Sequence, residues 1–302
     1  MKVLLKISIS SLLLYFSLRN IPLSEVLSEF PKWNFKWLIA RLLLAMSTVF
    51  LQGMRWKFLL GNQIKASSNT LIRYAWMGKF FELLVPFSIG GELFKAHMLG
   101  KEFTNKGGAI ATALQAKVMG IFSLFLLGVT LGERPKEDLF LHSMYLFFFF
   151  LLCLSLIPWW WPKSLTKPIF KNRFENIQLW LSGEYFTWRA WGIAFAYSIL
   201  IQFMAGVVNY TYLVGVGASI SLQENFLYFP WMSVVILLPI SLFGVGGKEA
   251  YNINTFANLP GVTESQVIQF SLAGYILILL HALMGALVYL LHKKKMQEET
   301  KN

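Results

Sequence analysis

The sequence predicts an all-α polytopic membrane protein, with about six full transmembrane helices and two re-entrant helical hairpins in an inverted-repeat arrangement. First, 56% of the 302 residues are hydrophobic and 14% are charged, whereas a soluble domain carries about a quarter charged residues. Second, the apolar residues lie in repeated runs of about 20, the length that spans a hydrocarbon core. Third, a polar, glycine-broken motif interrupts two of these runs, about 150 residues apart.

The first half of the chain contains three predicted spans and one broken segment. Residues 3–18 form a first membrane helix, because no small-residue cleavage site follows them as a secretory signal requires. The second span covers residues 37–60. The first broken segment covers residues 70–99, with its turn at 86–92, and the next span covers residues 108–131.

The second half repeats this order. A span at residues 139–161 is followed by a polar connector, 162–184, where we expect a short surface helix. The next span covers residues 188–214, the second broken segment covers 226–259, and the last span covers 266–291. We therefore expect residues 1–302 to form a single integral membrane domain.

The distribution of basic residues favours hairpins over simple crossings. Simple hydropathy counts eight spans, and then the lysine-rich stretch 163–173 and the lysine-free loop 215–221 both face outside. If each broken segment enters and leaves on one side, the basic clusters all fall inside, as the positive-inside rule requires. The first hairpin then enters from the cytoplasm, the second from outside, and both termini are cytoplasmic. Many transporters have such inverted halves with discontinuous helices.

Each turn predicts a polar cavity near the middle of the membrane, because lipid cannot hydrogen-bond the freed backbone groups. The restarting helices present backbone N–H groups and a positive dipole end, which favour a phosphate or carboxylate ligand. The candidate substrate-binding residues at the two turns are Pro86, Gly90, Gly91, Glu92, Lys95, Pro239, Ser241, Gly246, Gly247, Lys248 and Glu249.

Charged residues inside apolar spans are expensive, so each is a candidate ligand. Lys117 lies deep in a span and is predicted to face the cavity. Arg55, at the end of the second span, either binds the ligand or reaches the lipid headgroups. Lys79 and Glu82 are three residues apart on one helix face, where they form a structural or a functional pair.

Other polar residues have simpler interpretations. Arg41 and Lys57 are expected at the membrane interfaces. Asn209 and His281 are expected to form hydrogen bonds between helices. Glu92 and Glu249 have two interpretations: each binds a ligand, or each caps the start of its helix.

Several classes of function are disfavoured. The four histidines are scattered, and no nucleophile elbow or phosphate-binding loop is present. The single cysteine, Cys153, permits no internal disulfide. We therefore expect no catalytic residue, no metal and no cofactor, and the chain is not expected to be an enzyme. The net charge of +12 is better explained by anionic lipid headgroups than by nucleic acid.

Three motifs resemble those of the lysylphosphatidylglycerol synthase transmembrane region, or flippase-like, family, whose members include the membrane half of the multiple peptide resistance factor. They are Arg55-Trp56-x-x-Leu59-Leu60, Gly78…Leu84-Val85-Pro86…Gly90-Gly91-Glu92…Lys95, and Pro239-Ile-Ser241…Gly244-x-Gly246-Gly247-Lys248-Glu249. The resemblance covers nearly the whole chain and implies a lipid-translocating domain in a prokaryotic inner membrane. Lys117 and Lys248 stand where the family often has arginine, so each keeps a cation but loses the bidentate fork.

The leading hypothesis is a flippase or scramblase for an anionic, aminoacylated or polyprenyl-phosphate-linked lipid. Arg55, Lys117 and Lys248 would hold phosphate, while Glu92 and Glu249 would bind an amine or a coupling proton. Two alternatives stay open: a membrane enzyme acting on a lipid-linked substrate, and a non-transporting partner of a separate lipid synthase or glycosyltransferase. The expected partners are therefore the bilayer, a lipid headgroup and such an enzyme, with no nucleic acid.

Overall fold

The fold was obtained as a computed structural model, which describes residues 35–61, 64–84, 90–103, 106–132, 187–237 and 244–299, with a few isolated positions outside these ranges. These ranges are mainly helical. The helices are α1 (Phe35–Leu60), α2 (Ser68–Leu84), α3 (Gly90–Glu102), α4 (Lys106–Leu131), α5 (Trp188–Gly215), α6 (Leu222–Leu237), α7 (Gly247–Phe256) and α8 (Glu264–Glu299). The all-α prediction is confirmed for this part of the chain.

The predicted segments agree with these helices to within a few residues, with one exception. Helix α8 continues to Glu299, past the predicted end at residue 291. The extension is rich in lysine, glutamine and glutamate, which are good helix formers although they are polar. The predicted span 3–18, the span 139–161 and the connector 162–184 lie outside the described ranges, apart from isolated positions.

Three of the described helices are long and apolar enough to cross a bilayer: Gly108–Leu131 within α4, Trp188–Gly215, and Glu264–Lys294 within α8. Their apolar length supports a membrane protein. The count of six full spans stays a prediction, since two of the expected spans fall outside the described residues.

Helices α2 and α3 pack side by side in opposite directions. The rings of Phe81 and Phe94 stack with centroids 3.5 Å apart, near the end of α2 and the start of α3. At the opposite ends of both helices, the Tyr74 hydroxyl donates a hydrogen bond to Glu102. The two helices thus form a hairpin, and its tip at residues 85–89 lies outside the described ranges.

Helices α6 and α7 form a second antiparallel pair. The Tyr251 hydroxyl donates to the carbonyl oxygen of Tyr228 at 2.9 Å, and the ring of Tyr228 meets that of Phe256 edge-on. The chain enters α7 through Gly244 and Gly246, whose φ angles of 79° and 82° are left-handed and favour glycine.

Helices α1 and α5 cross the centre of the bundle antiparallel to each other. Near the end of α1, Phe58 stacks on Tyr197 in the first part of α5, with ring centroids 5.6 Å apart. Near the start of α1, Arg41 lies over the ring of Tyr212 in the last turns of α5, at 5.1 Å. Because α2 follows α1 and α6 follows α5, α2 and α6 begin near opposite ends of this antiparallel pair.

The apolar core is divided between these two ends. One cluster surrounds Trp56 and Leu59 of α1 and includes Leu99 of the first hairpin. Another cluster surrounds Tyr212 of α5 and includes Phe256 of the second hairpin. The region between the clusters contains the charged side chains described next.

Candidate functional site

A cavity of about 240 Å³, here called the first cavity, lies where helices α1 to α4 meet α5 and α6. Its walls carry charge in an otherwise apolar bundle. The polar and charged residues that line it are Gln52, Arg55, Lys79, Glu82, Glu92, Lys117, Gln202 and Ser233. Thus five of the charged residues predicted from the sequence share one cavity: Arg55, Lys79, Glu82, Glu92 and Lys117.

Both carboxylates of the first cavity are paired with lysines on their own helices. The ammonium of Lys79 lies 2.8 Å from the carboxylate of Glu82 on α2. The ammonium of Lys95 lies 2.6 Å from the carboxylate of Glu92 on α3, and it also lies over the Trp56 ring at 5.4 Å. Each pair is spaced at i, i+3, which places the two side chains on one helix face. The predicted pairing of Lys79 with Glu82 is therefore present, and its structural and functional interpretations both stay predictions.

Arg55 and Lys117 are the cations of the first cavity that have no such partner. Within the described ranges, no carboxylate oxygen lies within 4.0 Å of either side chain. Arg55 is only 5% exposed. Its guanidinium donates a hydrogen bond to the Ser198 hydroxyl at 3.2 Å, but its Nε has no hydrogen-bond partner in this part of the chain.

The first cavity therefore has an excess of positive charge. Arg55, Lys79 and Lys117 line it together with two carboxylates, and Lys95 lies directly behind, in contact with Glu92. With all six groups ionised, the two pairs cancel, and Arg55 and Lys117 supply a net charge of +2. An anion entering this cavity would meet two cations that no described carboxylate contacts within 4.0 Å.

Gly120 of α4 lets the cavity form at this crossing. A Cβ atom at Gly120 would lie 3.1 Å from Nε2 of Gln202 and 3.4 Å from a terminal nitrogen of Arg55. The side chains of α1 and α5 therefore reach past α4 because this position carries no side chain. Bulkier residues here would occupy the space beside the guanidinium.

The glycines at the first turn have a packing role. A Cβ on Gly91 would collide with the carbonyl oxygen of Gly78, and one on Gly78 would lie 2.9 Å from the Lys95 side chain. Small residues let two helix backbones approach closely. This close approach aligns Glu92 with Glu82 along one wall of the cavity. Gly90, the first residue of α3, is also buried.

Lys248 lines a different cavity, also of about 240 Å³, here called the second cavity. The second cavity is mainly apolar, and its polar residues are Thr48, Asn209, Tyr212, Lys248 and His281. The Lys248 ammonium lies 4.1 Å from the centre of the Tyr275 ring and donates to the carbonyl oxygen of Ser271 at 3.3 Å. The structure therefore does not bring Lys248 together with Arg55 and Lys117 in one cavity.

Glu249 is buried and fully engaged at the start of α7. Its carboxylate accepts a hydrogen bond from the backbone N–H of Gly246 at 2.7 Å and another from the Tyr275 hydroxyl at 2.8 Å. The Lys248 ammonium lies 4.0 Å away. The helix-capping interpretation of Glu249 is confirmed as a contact. Gly247 begins the same helix, while Pro86, Pro239 and Ser241 lie outside the described residues.

The remaining polar residues of the spans have definite places. Lys57 is exposed and donates to the Ser68 hydroxyl at 2.8 Å. Arg41, expected at an interface, is 7% exposed because it packs over Tyr212 and against the end of α5. The predicted hydrogen bond of Asn209 between helices is confirmed: its amide donates to Asn225 at 2.7 Å.

Sequence reasoning missed Gln52, Ser198 and Gln202, which line the first cavity or hold Arg55. A signal for them was present. Gln52 lies three residues before Arg55, and Gln202 lies four residues after Ser198, so each pair shares a helix face. An uncharged polar residue on the same helix face as a buried cation is therefore a candidate for the same site.

Comparison with known proteins gives one family. Residues 3–291 match the model of the family described as "Lysylphosphatidylglycerol synthase TM region". No curated protein and no solved structure matches the chain.

Proposed function

The chain belongs to the lysylphosphatidylglycerol synthase transmembrane family, and from this premise we propose that it moves a lipid with a phosphate-containing headgroup across a prokaryotic inner membrane. The family supports a membrane role in lipid metabolism or transport. Within that role, we propose the specific activity of lipid translocation, as in a flippase or scramblase.

The observation that carries this proposal is the excess positive charge of the first cavity inside an apolar bundle. Buried charges are expensive unless they are paired. Arg55 and Lys117 have no described carboxylate partner, so an anionic ligand would supply the missing counter-charge. A lipid phosphate is the anion that is most abundant where the protein resides.

The size of the first cavity suits a headgroup without its acyl chains. A volume of about 240 Å³ is below the roughly 300–1,000 Å³ of pockets that enclose a whole small-molecule ligand, so it leaves room for a small headgroup but not for acyl chains. The acyl chains would then remain among the exposed apolar side chains of the helices, which include Leu279, Leu283 and Leu287 of α8. Only the polar headgroup, which the hydrocarbon core excludes, needs the protein.

We also propose that the two halves form an inverted repeat in which α2–α3 and α6–α7 are re-entrant hairpins. The antiparallel packing of α1 and α5 supports this, since corresponding helices of inverted halves run in opposite directions. The hairpins are too short for two full crossings each: α3 has 13 residues and α7 has 10, whereas a crossing needs about 20. With six full spans, both termini would be cytoplasmic.

In this proposal the protein moves its lipid without changing it chemically. The groups of the first cavity are cations and paired carboxylates, which suit binding of an anion. The involvement of a separate lipid synthase, which would supply the substrate, is part of the same proposal and is tested by co-purification.

The test is lipid translocation by the purified protein in liposomes. Phosphatidylglycerol labelled on an acyl chain is placed in the membrane, and a membrane-impermeant quencher reports how fast the inner-leaflet label reaches the outer leaflet. We expect translocation by the wild type, and a loss of at least tenfold with Arg55→Gln, because the guanidinium that holds the phosphate is removed.

The matched control is Lys57→Gln, which removes a cation from an exposed position on the same helix. It is expected to translocate at the wild-type rate. Wild-type protein that leaves all labelled lipids in place, or Arg55→Gln protein that is folded and fully active, would contradict the proposed function or its site. Mass analysis of the lipids after the assay tests the absence of chemical change.

A further inference from the structure

We propose that the first cavity selects an anionic phosphate headgroup that carries no amine, and that it discriminates against aminoacylated headgroups. This inference rests on the proposed function and narrows its substrate class. It concerns the same cavity, and it follows from how the charges of that cavity are paired.

The first step is that each carboxylate of the first cavity already contacts a lysine. The Glu82 carboxylate contacts the Lys79 ammonium at 2.8 Å, and the Glu92 carboxylate contacts the Lys95 ammonium at 2.6 Å. Both lysines belong to the same helices as their partners, so neither pair depends on a ligand. An amine on the ligand would have to share a carboxylate whose charge a lysine already offsets, so it would gain less than at an unpaired carboxylate.

The second step is that the two cations without a described carboxylate partner, Arg55 and Lys117, suit an anionic headgroup that has no amine. Arg55 is 95% buried, since its exposed fraction is 5%, lines the cavity, and has a guanidinium Nε without a hydrogen-bond partner among the described residues. Lys117 lines the same cavity from α4. A phosphate could accept hydrogen bonds from both groups and would offset the net positive charge that remains after the two ion pairs are counted.

The third step is the sign of the long-range interaction. With its two ion pairs cancelled, the first cavity retains the two charges of Arg55 and Lys117. Phosphatidylglycerol has a net charge of about −1 and is attracted, whereas its lysyl ester has a net charge of about +1 and is repelled. Polyprenyl phosphate has the same anionic character as phosphatidylglycerol and fits the same inference.

The experiment compares two lipids that differ only in the aminoacyl group. Purified protein in mild detergent is mixed with equal amounts of phosphatidylglycerol and lysylphosphatidylglycerol, and native mass spectrometry measures the ratio of the two bound species. We expect the wild type to retain phosphatidylglycerol at least tenfold over the lysyl ester. Equal retention, or preference for the lysyl ester, would overturn the inference.

Two variants test the reason for the selectivity. Lys79→Gln removes the partner of Glu82 and is expected to raise retention of the lysyl ester relative to phosphatidylglycerol by about tenfold, because a carboxylate becomes available to an amine. Lys57→Gln, the exposed control on α1, is expected to keep the wild-type ratio. A Lys79→Gln protein that is folded and has the wild-type ratio would overturn the role assigned to the paired carboxylates.

Further measurements distinguish a lipid phosphate from free phosphate, and they test the selectivity separately from the proposed translocation. Displacement of bound phosphatidylglycerol by an equal free concentration of inorganic phosphate would overturn the lipid assignment in favour of a free anion. Selective binding of phosphatidylglycerol without its translocation in liposomes would leave the selectivity standing and refute the proposed function. Equal translocation of both lipids would support the proposed function and refute the selectivity.

Discussion

At the residue scale, the carboxylates near the two turns have partners among the described residues, whereas two cations of the first cavity have no carboxylate in contact. Glu82 and Glu92 contact lysines, and Glu249 accepts two hydrogen bonds. Arg55 and Lys117 have no described carboxylate within 4.0 Å. The imbalance separates residues that stabilise the fold from residues that are left to bind an anion.

Glu249 belongs to the first group, and its substitution is expected to affect stability more than lipid binding. In Glu249→Gln, one of the two hydrogen bonds to the carboxylate loses its acceptor and both lose their charge assistance. Such bonds contribute about 1.5–3 kcal/mol each, so we expect a loss of about 1–3 kcal/mol, measured as a lower unfolding temperature in detergent. Retention of phosphatidylglycerol by the folded protein should not change, because Glu249 does not line the first cavity.

The control for this prediction is Glu298→Gln. Glu298 forms an exposed ion pair with Lys294 at 3.9 Å, and exposed pairs contribute about 0–1 kcal/mol. The unfolding temperature of the Glu298→Gln protein should match that of the wild type. Loss of bound lipid in Glu249→Gln at unchanged stability would show that Glu249 is a ligand and would contradict the capping role.

At the element scale, each broken segment is a pair of helices held by close contacts near its tip. In the first hairpin the contact is between backbones, at Gly78 and Gly91. In the second, Glu249 and the left-handed Gly246 define the start of α7. The two hairpins therefore use different means to form the same antiparallel arrangement.

The backbone contact in the first hairpin makes Gly91 sensitive to any side chain. Gly91→Ala is expected to destabilise the protein by about 1–3 kcal/mol, the usual range for overpacking, because the new Cβ meets the Gly78 carbonyl. Thermal unfolding in detergent checks this. Gly192→Ala is the matched control, since a Cβ there meets no described atom within 4 Å and alanine favours the helix.

The hairpin arrangement also predicts which connections lie on the same side of the membrane. Single cysteines are placed in a Cys153→Ser background at exposed positions flanking the hairpins: Lys65, Lys101, Ser219 and Asn258. A membrane-impermeant maleimide added to intact cells should label the cysteines at positions 219 and 258 but not those at 65 and 101. If each broken segment crossed once, the members of each pair would be labelled differently.

At the scale of the whole molecule, the two halves follow one order of helices. Gly90 and Gly246, at the starts of the two short helices, are 156 positions apart. The same offset applied to the first residues of α1, α2 and α4 falls within a few residues of the first residues of α5, α6 and α8. Helices α2 and α8 pack together, and so do α6 and α4, which are the corresponding pairs in a two-fold arrangement. The first cavity lies at this junction of the halves.

Filling the junction is expected to stop lipid movement without unfolding the protein. In Gly120→Leu, the new side chain occupies the space beside Arg55 and Gln202, whose flexible ends are its nearest neighbours. We expect at least a tenfold loss of phosphatidylglycerol translocation with an unfolding temperature near that of the wild type. Gly192→Leu adds the same side chain at an exposed position and should remain active.

Much of this molecule is predictable from its sequence because a bilayer limits the possible structures. Apolar length and the ends of the hydrophobic runs predicted the described helices to within a few residues, apart from the polar extension of α8. The charged residues of the first cavity were also predictable one at a time, since each is a rare event inside an apolar span. Gln52 and Gln202 escaped attention because an uncharged amide in a span is a weaker signal.

The membrane class, the helices and the charged residues within them follow from the sequence, because each depends on local composition and spacing. The distribution of those charges among cavities depends on how the helices pack. Arg55 and Lys117 share a cavity across α1 and α4, whereas Lys248 faces another cavity and packs on Tyr275. The repeated motif made the two turns look equivalent, but Lys95 pairs with Glu92 of its own helix, whereas Lys248 contacts Tyr275 and Ser271 of α8. Contacts between helices form only when the helices pack.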